Sequence, residues 1–348
     1  MKQFKSICIL LVMALLPMPM LAGEEPKDEP LNISEIVLEH LADSYEWHIA
    51  TYEGKHIGFP LPIIIRSSQT GEWHFCTEHS LPDGFFFNPE AHGKIYEQMA
   101  DGSTVRPLDL SITRNVLQIW IVVAVLLVVF LSCARWYKKR DKTSKAPTGF
   151  IGAVELLVTM INDDVIKASI GEKHYKPYAP YLLTVFFFIF FANLFGLIPF
   201  FPFSANVTGN LSITIVLALL TFFFVNAFGN KHYWKEIFWP DVPVFLKAFP
   251  LMPIIEVISA IIKPFALMVR LFANILAGHI VIMVLMGLIF IIGGMYGVGM
   301  AGVTSVISIF MTVFMFAMEL MVAYIQAYVF TILSAVFIGL AQQEPEHS

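Results

Sequence analysis

Charged residues are scarce in this sequence. Only 14% of its 348 residues are Asp, Glu, Lys or Arg, and 57% are hydrophobic. An ordinary soluble protein carries roughly 25% charged residues. A soluble fold could not bury this much apolar surface, and a disordered chain or a nucleic-acid binder would need more charge. The composition therefore excludes these classes and a conventional soluble enzyme, and it predicts a polytopic membrane protein.

The lack of charge is most complete in the second half of the chain. Residues 177–230 contain no Asp, Glu, Lys or Arg. Residues 250–341 contain only four charged residues, which are Glu256, Lys263, Arg270 and Glu319. A charge at the bilayer centre costs roughly 2.5–3.5 kcal/mol on insertion scales, and such residues are functional by default. These four residues, together with His279, are therefore the candidates for a functional site.

Cysteine is also rare, with three residues in the chain. Cys76 is the only one in the region that we expect to be exported, which argues against an intramolecular disulfide there. The histidines of the same region are scattered and lack the spacing of metal ligands. We therefore expect no metal site.

The N-terminus has the pattern of a secretory signal. Basic residues precede an apolar run, Ile7–Leu16, which is too short for a membrane span, and small residues follow it. We predict a signal peptide at residues 1–23, with an uncleaved anchor helix as the alternative. Residues 24–114 then form an exported polar extension with 16 acidic and 6 basic residues.

Long apolar runs predict about five transmembrane helices. The first run, Val116–Ala134, is followed directly by Arg135 and further basic residues, which mark the cytoplasmic side of the membrane. The second and third spans are predicted at residues 181–199 and 211–228. A partly helical cytoplasmic connection at residues 146–176 precedes them.

Two longer apolar stretches remain, at residues 251–292 and 301–341. As a straight helix each would be on the order of 60 Å long, which is about twice the hydrocarbon thickness of a bilayer. Each stretch therefore either folds into two spans or lies steeply tilted. Because the clear turn signal is a glycine cluster at 293–299, between the stretches, we predict two long tilted helices in an all-α polytopic membrane protein. The membrane domain then covers residues 115–341, and residues 342–348 form a cytoplasmic tail.

Helical geometry groups the candidate residues of the first long helix by face. At 3.6 residues per turn, Glu256, Lys263 and Asn274 lie within about 40° of Arg270 and form one polar stripe. His279 is nine residues beyond Arg270 and faces the opposite side of the helix. The simpler interpretations are that Lys263 snorkels towards a membrane edge and that Arg270 forms a structural ion pair.

Glu319 and Gln326 are seven residues apart on the last helix and share a face. Histidine, glutamate and neighbouring polar residues form proton relays in membranes, and histidine titrates near neutral pH. Arg270 cannot act as a relay because it keeps its proton, but it can stabilise a carboxylate opposite it. Since the chain has few carboxylates at this depth, we infer that a partner protein supplies the acid.

These residues lie in segments that resemble subunit a of F-type ATP synthases. Residues 264–279, PFALMVRLFANILAGH, resemble the signature helix of that family. Residues 319–330, ELMVAYIQAYVF, resemble the matching part of its last helix, and residues 193–199, NLFGLIP, resemble a motif on an earlier span. The resemblance covers roughly residues 115–341.

The resemblance implies a mechanism. Subunit a is the stator against which a ring of subunit c rotates, and each c subunit carries a mid-membrane carboxylate that binds and releases a proton. Two offset half-channels reach that plane, one from each side of the membrane. Arg270 would separate them by forcing the passing carboxylate to release its proton.

The resemblance also implies roles for the other candidates. Asn274 and Gln326 would support Arg270, and Glu256 would lie on the cytoplasmic half-channel, with Lys263 as a further candidate nearby. The outer half-channel would be formed by Asn193, His279 and Glu319.

The implied partners are the subunit c ring, the subunit b stalk, the other ATP synthase subunits and the lipid bilayer, with no nucleic acid, cofactor or metal. The chain would be non-catalytic, because ATP chemistry takes place on other subunits. It would lie in the cell inner membrane, with residues 24–114 outside and the C-terminus in the cytoplasm.

The sequence departs from the commonest bacterial pattern at two places. His279 and Glu319 exchange the residue types that many bacterial members have there, an arrangement seen in mitochondrial members, so the pair itself is kept. Gly196 stands where some bacterial members carry an acidic residue.

The alternatives to the resemblance are a secondary transporter that binds an anionic substrate through Arg270 and a purely structural scaffold. No internal repeat supports the transporter, and a scaffold would not need ionisable residues at this depth.

Overall fold

A computed structural model describes residues 43–52, 55–88, 93–99, 101–139, 147–198, 205–238 and 251–342. The predicted signal peptide, the start of the extension and most of the predicted tail lie outside the described residues.

The described part of the extension is a set of small antiparallel sheets. Its strands are β1 (Glu46–Tyr52), β2 (Lys55–Pro60), β3 (Ile63–Arg66), β4 (Trp73–Cys76), β5 (Phe85–Asn88), β6 (Lys94–Gln98), β7 (Thr104–Val105) and β8 (Leu108–Asp109). They pair in the orders β1-β2, β4-β3-β8 and β5-β6-β7. The β structure of this region is a finding that the sequence analysis did not anticipate.

Alternating side chains give the extension a core of its own. Ile63 and Ile65 point to one face of β3 and pack with Tyr45 and Ile95. The Tyr45 hydroxyl donates a hydrogen bond to Asp109, and burial raises the pKa of this tyrosine above its ordinary value. The extension is therefore a folded unit, because the isoleucines bury one side of a sheet.

Seven α-helices of eight or more residues follow the extension in the described part of the chain. They are α1 (Arg114–Lys138), α2 (Phe150–Met160), α3 (Ala179–Gly196), α4 (Leu211–Ala227), α5 (Lys231–Phe238), α6 (Leu251–Tyr296) and α7 (Val298–Ala341). Four of them are long and apolar enough to cross a membrane, and α4 is a shorter apolar helix. The predicted polytopic fold with about five spans is confirmed.

The predicted connection between the first two spans is helical over much of its length. After α2, a π-helical stretch (Ile161–Lys167) leads into one further helical turn. Ile161, Val165 and Ile166 are fully buried, so this connection packs into the helix bundle.

The core of the bundle lies around α3. Leu182, Phe186 and Ile189 of α3 are completely buried. The same cluster contains Leu271 of α6 and Phe330 of α7. Helix α3 packs mainly against α7 and α1, and α6 packs against α7 and α4. Close packing of aromatic and aliphatic side chains fixes the relative positions of these helices.

Helices α6 and α7 form one long antiparallel hairpin. They contain 46 and 44 residues, and the turn between them is made at Gly297, whose φ of 82° suits glycine. At 1.5 Å per residue each is about 65–70 Å long, so neither can stand upright in a hydrocarbon layer of about 30 Å. The prediction of two long helices is confirmed, and folding of each stretch into two spans is wrong. Pro264 lies inside α6 without ending it.

Candidate functional site

Arg270 lies on the outer surface of α6. Its side chain and that of Asn274 are exposed, whereas Leu267, Leu271 and Ile275 form the buried face of the same helix segment. Arg270 forms no ion pair with any residue that the structure describes. The helix therefore presents a guanidinium group and an amide to whatever lies against it in the membrane.

Glu256 and Lys263 lie on the same helix, nearer its beginning, and both are half-buried. The Lys263 ammonium group lies 5.6 Å from the centroid of the Phe337 ring on α7, a cation–π geometry. The polar stripe expected from helical angles thus divides into an exposed part, Arg270 and Asn274, and a half-buried part.

A small cavity lies beside Lys263. It has a volume of about 20 Å³, and its lining includes Thr221, Asn226, Tyr233 and Lys263. A cavity of this size holds about one water molecule. Tyr233 donates a hydrogen bond of 3.3 Å to Asn226. Burial raises the pKa of Tyr233, and the charge of nearby Glu256 raises it further.

His279 lies on the inner side of α6 and approaches Glu319 of α7. Its Nδ1 is 3.8 Å from Oε1 of Glu319, and their side chains are 20% and 4% exposed. The helical periodicity predicts that His279 faces away from Arg270. In the structure, Arg270 is exposed and His279 lies beside α7. At 3.8 Å the two groups form no hydrogen bond, but a side-chain movement of less than about 1 Å would bring them to the roughly 2.6–3.2 Å that direct proton transfer requires.

Gly278 allows the Glu319 carboxyl group to pack against α6. A Cβ atom at position 278 would lie 2.6 Å from Oε1 of Glu319, which is closer than any stable contact. The glycine is thus required by the position of the carboxyl group. Gly278 lies in the segment 264–279 that resembles the family's signature helix, but its steric role could not be predicted from the sequence.

Asn193 of α3 is hydrogen-bonded to α7 one helical turn beyond Glu319. Its Nδ2 donates to the carbonyl oxygen of Ala323 on α7 at 3.4 Å, and its Oδ1 accepts a hydrogen bond of 2.5 Å from Thr208. Both side chains are buried. Thr208 was not predicted from the sequence, although a threonine in a short turn between two apolar spans could have indicated a polar partner for Asn193.

Gly196 faces the histidine. A Cβ atom at this position would lie 3.9 Å from Nε2 of His279 and 4.0 Å from Cα of Asn206. The position at which this chain departs from the bacterial pattern is therefore next to the His279–Glu319 pair.

The Glu319 carboxyl group has unused hydrogen-bonding capacity. Both of its oxygens are buried and accept no hydrogen bond from the residues that the structure describes. A buried polar group without a partner costs roughly 1–3 kcal/mol, and such a cost is typical of functional positions.

Gln326 is buried on α7, two turns beyond Glu319. No hydrogen bond joins it to Arg270 or Asn274 within the described ranges. The structure thus brings together Asn193, His279 and Glu319, and it leaves Arg270 with Asn274 on a separate surface. Among the described residues, no group of three His, Cys, Asp or Glu side chains is arranged to hold a metal ion.

Comparison with known proteins gives two family matches. The family described as ATP synthase A chain matches residues 116–339, and a domain of unknown function matches residues 36–110. ATP synthase subunit a of Chloroherpeton thalassium is 39% identical over 273 residues, which are 77% of each chain.

Two other similar proteins are also ATP synthase a subunits. ATP synthase subunit a of Anaeromyxobacter dehalogenans is 41% identical over 326 residues, covering 91% of this chain and 79% of the relative. ATP synthase subunit a 2 of Prosthecochloris aestuarii is 43% identical over 275 residues, covering 77% and 79%.

Proposed function

Because this chain belongs to the ATP synthase A chain family, we propose that it moves protons through two offset half-channels that Arg270 keeps apart. The chain is a multi-pass membrane protein and the proton-channel stator subunit of the membrane sector of an F-type ATP synthase. The observation that carries the proposal is the division of α6 into two faces. Arg270 is exposed on one face, and His279 lies 3.8 Å from Glu319 on the other.

The exposed face around Arg270 is the rotor surface in this proposal. A guanidinium group at membrane depth needs a carboxylate or equivalent partner, because desolvation of an unpaired charge is costly. The described residues of this chain supply none. A ring of subunit c would bring one carboxylate after another to Arg270, which would hold each in its ionised form. Asn274, one turn further on, would orient the same carboxylate through its amide.

The outer half-channel is assigned to the buried pair and its neighbour Asn193. Glu319 has free acceptor capacity, and the ring nitrogens of His279 can donate or accept a proton. Protons would pass from the outside through this pair to the rotor carboxylate. Gln326, on the same face of α7 as Glu319, would support the path towards Arg270.

The cytoplasmic half-channel is assigned to the region of Glu256 and Lys263. The support is the small cavity there, whose lining includes Asn226, Tyr233 and Lys263, and the electrostatic effect of Glu256 on Tyr233. A proton released beside Arg270 would leave along this side, with Lys263 as a fixed positive charge next to the cavity.

The chain is a subunit of the ATP synthase complex. Within it, the c ring and the subunit b stalk are its proposed direct partners, besides the lipid bilayer, and ATP chemistry is left to other subunits. We assign residues 1–23 to a signal peptide and 24–114 to an extension outside the inner membrane. The membrane domain is 115–341, and the tail at 342–348 is cytoplasmic.

The rival function, a secondary transporter with an anion bound to Arg270, has less support. A transporter would enclose this arginine in a site between repeats at the bilayer midplane. Arg270 is instead exposed on the outside of α6. The family of the chain favours the same conclusion.

Replacement of Arg270 by alanine tests the proposal. In inverted vesicles that contain the complete ATP synthase, Arg270→Ala is expected to reduce proton-driven ATP synthesis to background, because nothing would force the rotor carboxylate to release its proton. Subunit content of the membrane and co-purification with the small c proteolipid are measured in the same preparation.

Phe265→Ala is the matched control. Phe265 is exposed on the same helix, about 140° around the axis from Arg270. Its truncation removes a large exposed side chain and should leave most of the synthesis. Retained synthesis in Arg270→Ala, or equal loss in both variants, would contradict the assignment of Arg270.

A further inference from the structure

A second group of buried polar side chains lies on α1, and the proposed function makes no use of it. Gln118 is completely buried, and neither Oε1 nor Nε2 has a hydrogen-bond partner among the described residues. Asn115, nearly one turn before it, is also buried, and its Oδ1 has no partner in the same part of the chain. A leucine would fill the same volume without the cost of a buried, unpaired amide.

These amides lie on the inner face of α1 at its first turns. Asn115, Gln118 and Val122 fall within about 60° of one another around the helix, and all three are buried. Thr113, just before the helix, adds a buried hydroxyl that is unpaired within the described ranges. From Val122 onwards the face is apolar. The inner face of α1 is therefore polar only where the helix meets the extension.

This face points to the segment that flanks the histidine. Val122 packs with Ala192 and Phe195 of α3 and with Val207. The residue before Val207 is Asn206, whose Nδ2 is another buried polar atom without a partner in the described structure. Asn206 and His279 are both neighbours of Gly196, because a Cβ atom there would lie 4.0 Å from Cα of Asn206 and 3.9 Å from Nε2 of His279.

The unpaired polar atoms therefore belong to segments that neighbour one another. Thr113, Asn115 and Gln118 lie at the start of α1, Asn206 lies in the turn that packs against α1 through Val207, and the two unpaired oxygens of Glu319 lie beside His279. Water can satisfy the donor and the acceptor of an amide at once. Such groups, placed between the start of a membrane helix and a buried acid, favour a water-filled path to that acid over a purely structural role.

We propose that Gln118 lines the entrance of the outer half-channel, which runs along the first turns of α1 to Asn206 and then to His279. The inference rests on the proposed function, because it assigns an entrance to a proton path proposed there. Gln118 is a positioning residue in this path: its amide orients water and itself exchanges no proton.

The first experiment measures water access without requiring proton transport. Single cysteines are placed at Gln118, Val122 or Val123 in the complete ATP synthase, with the native cysteines replaced by serine. Each is treated from the outer side with a small, membrane-impermeant cationic methanethiosulfonate. We expect Gln118→Cys to react at least tenfold faster than either control. Val123 is exposed on the outer surface of α1 and would face lipid, and Val122 is buried one turn deeper than Gln118.

The second experiment measures passive proton flux through the membrane sector. Gln118→Leu should lower the flux at least fivefold with unchanged subunit content, whereas Gln118→Ser, which keeps polarity and leaves room for water, should retain most of it. Equal reaction rates at positions 118 and 123, or a full flux in Gln118→Leu, would overturn the inference. Failure of the proposed function would look different, because Arg270→Ala would then retain proton-driven ATP synthesis whatever the result at Gln118.

Discussion

Glu319 combines three properties at the scale of a single residue. It is almost fully buried, it lies within 3.8 Å of a histidine nitrogen, and its oxygens accept no hydrogen bond from the described residues. A purely structural carboxylate at this depth would have its lone pairs satisfied. An acid that must bind and release a proton needs this unused capacity, since a fully bonded carboxylate holds one state too firmly.

Glu319→Gln keeps the shape of this side chain and removes its titration. We expect ATP-driven proton pumping to fall by about tenfold or more, as is typical when a positioned acid–base group is lost, while the complex still assembles. Pumping is followed with a fluorescent pH probe in inverted vesicles. Unchanged pumping with normal subunit content would remove Glu319 from the path.

The pairing of His279 with Glu319 gives a second prediction at the same scale. His279→Glu or Glu319→His alone places two like residues face to face. Two carboxylates or two imidazolium groups repel each other, so their proton affinities differ from those of the native pair. The double exchange restores one of each. We therefore expect proton pumping in the double variant to exceed that of both single variants. If all three variants lose pumping equally, the two residues do not act as a coupled pair.

The positions of some residues could be predicted from the sequence, and those of others could not. A fixed rotation per residue sufficed to separate His279 from Arg270, because both lie on one regular helix. The hydrogen bonds of Asn193 to Thr208 and to Ala323 depend on how three segments pack. No local pattern contains that information. Gln118 was counted as part of an apolar run, and only its burial without a partner makes it conspicuous.

At the scale of elements, the close approach of α6 and α7 brings His279 and Glu319 together. Glycine and small residues let membrane helices come near each other, and Gly278 does so where Glu319 crosses. Gly294, nearer the turn of the same helix, has open space where a Cβ would stand. The two glycines thus differ in steric role although both are helical.

Gly278→Ala should therefore disturb the site, and Gly294→Ala should not. The new methyl group at position 278 must push the Glu319 carboxyl group away from its place, so we expect passive proton flux to fall several-fold. The carboxyl group is the end of a flexible side chain, so the subunit should still assemble. Flux in the Gly294→Ala variant should equal that of the unmodified complex, and equal flux in both variants would contradict the steric argument.

Elements differ in how well their sequences predict them. The long helices could be predicted because uninterrupted apolar runs of this length have few other folds in a membrane. The strands of the extension are two to seven residues long and lie among polar residues and turns, so no long apolar run predicts them. The core around Ile63, Ile65 and Ile95 forms only when separate strands meet.

At the scale of the whole molecule, a folded β unit is joined tightly to a membrane bundle. The backbone N–H of Arg114 donates to the carbonyl oxygen of Ser44 at 3.0 Å, and that of Asn115 donates to the Asp43 carboxylate at 3.2 Å. The backbone N–H of Ile112 donates to the carbonyl oxygen of Pro62. The start of α1 is thus held by the extension, so the extension and the polar first turns of α1 lie on the same side of the membrane.

This arrangement predicts the topology of the chain. The basic residues that end α1 should be cytoplasmic, which places the extension outside. Ser103, exposed in the extension, and Lys139, exposed after α1, are replaced in turn by cysteine in a chain without other cysteines. A membrane-impermeant maleimide should label Ser103→Cys only in right-side-out vesicles and Lys139→Cys only in inverted ones. Labelling of both from the same side would require α1 not to cross the membrane, and the reversed pattern would place the proposed outer half-channel on the cytoplasmic side.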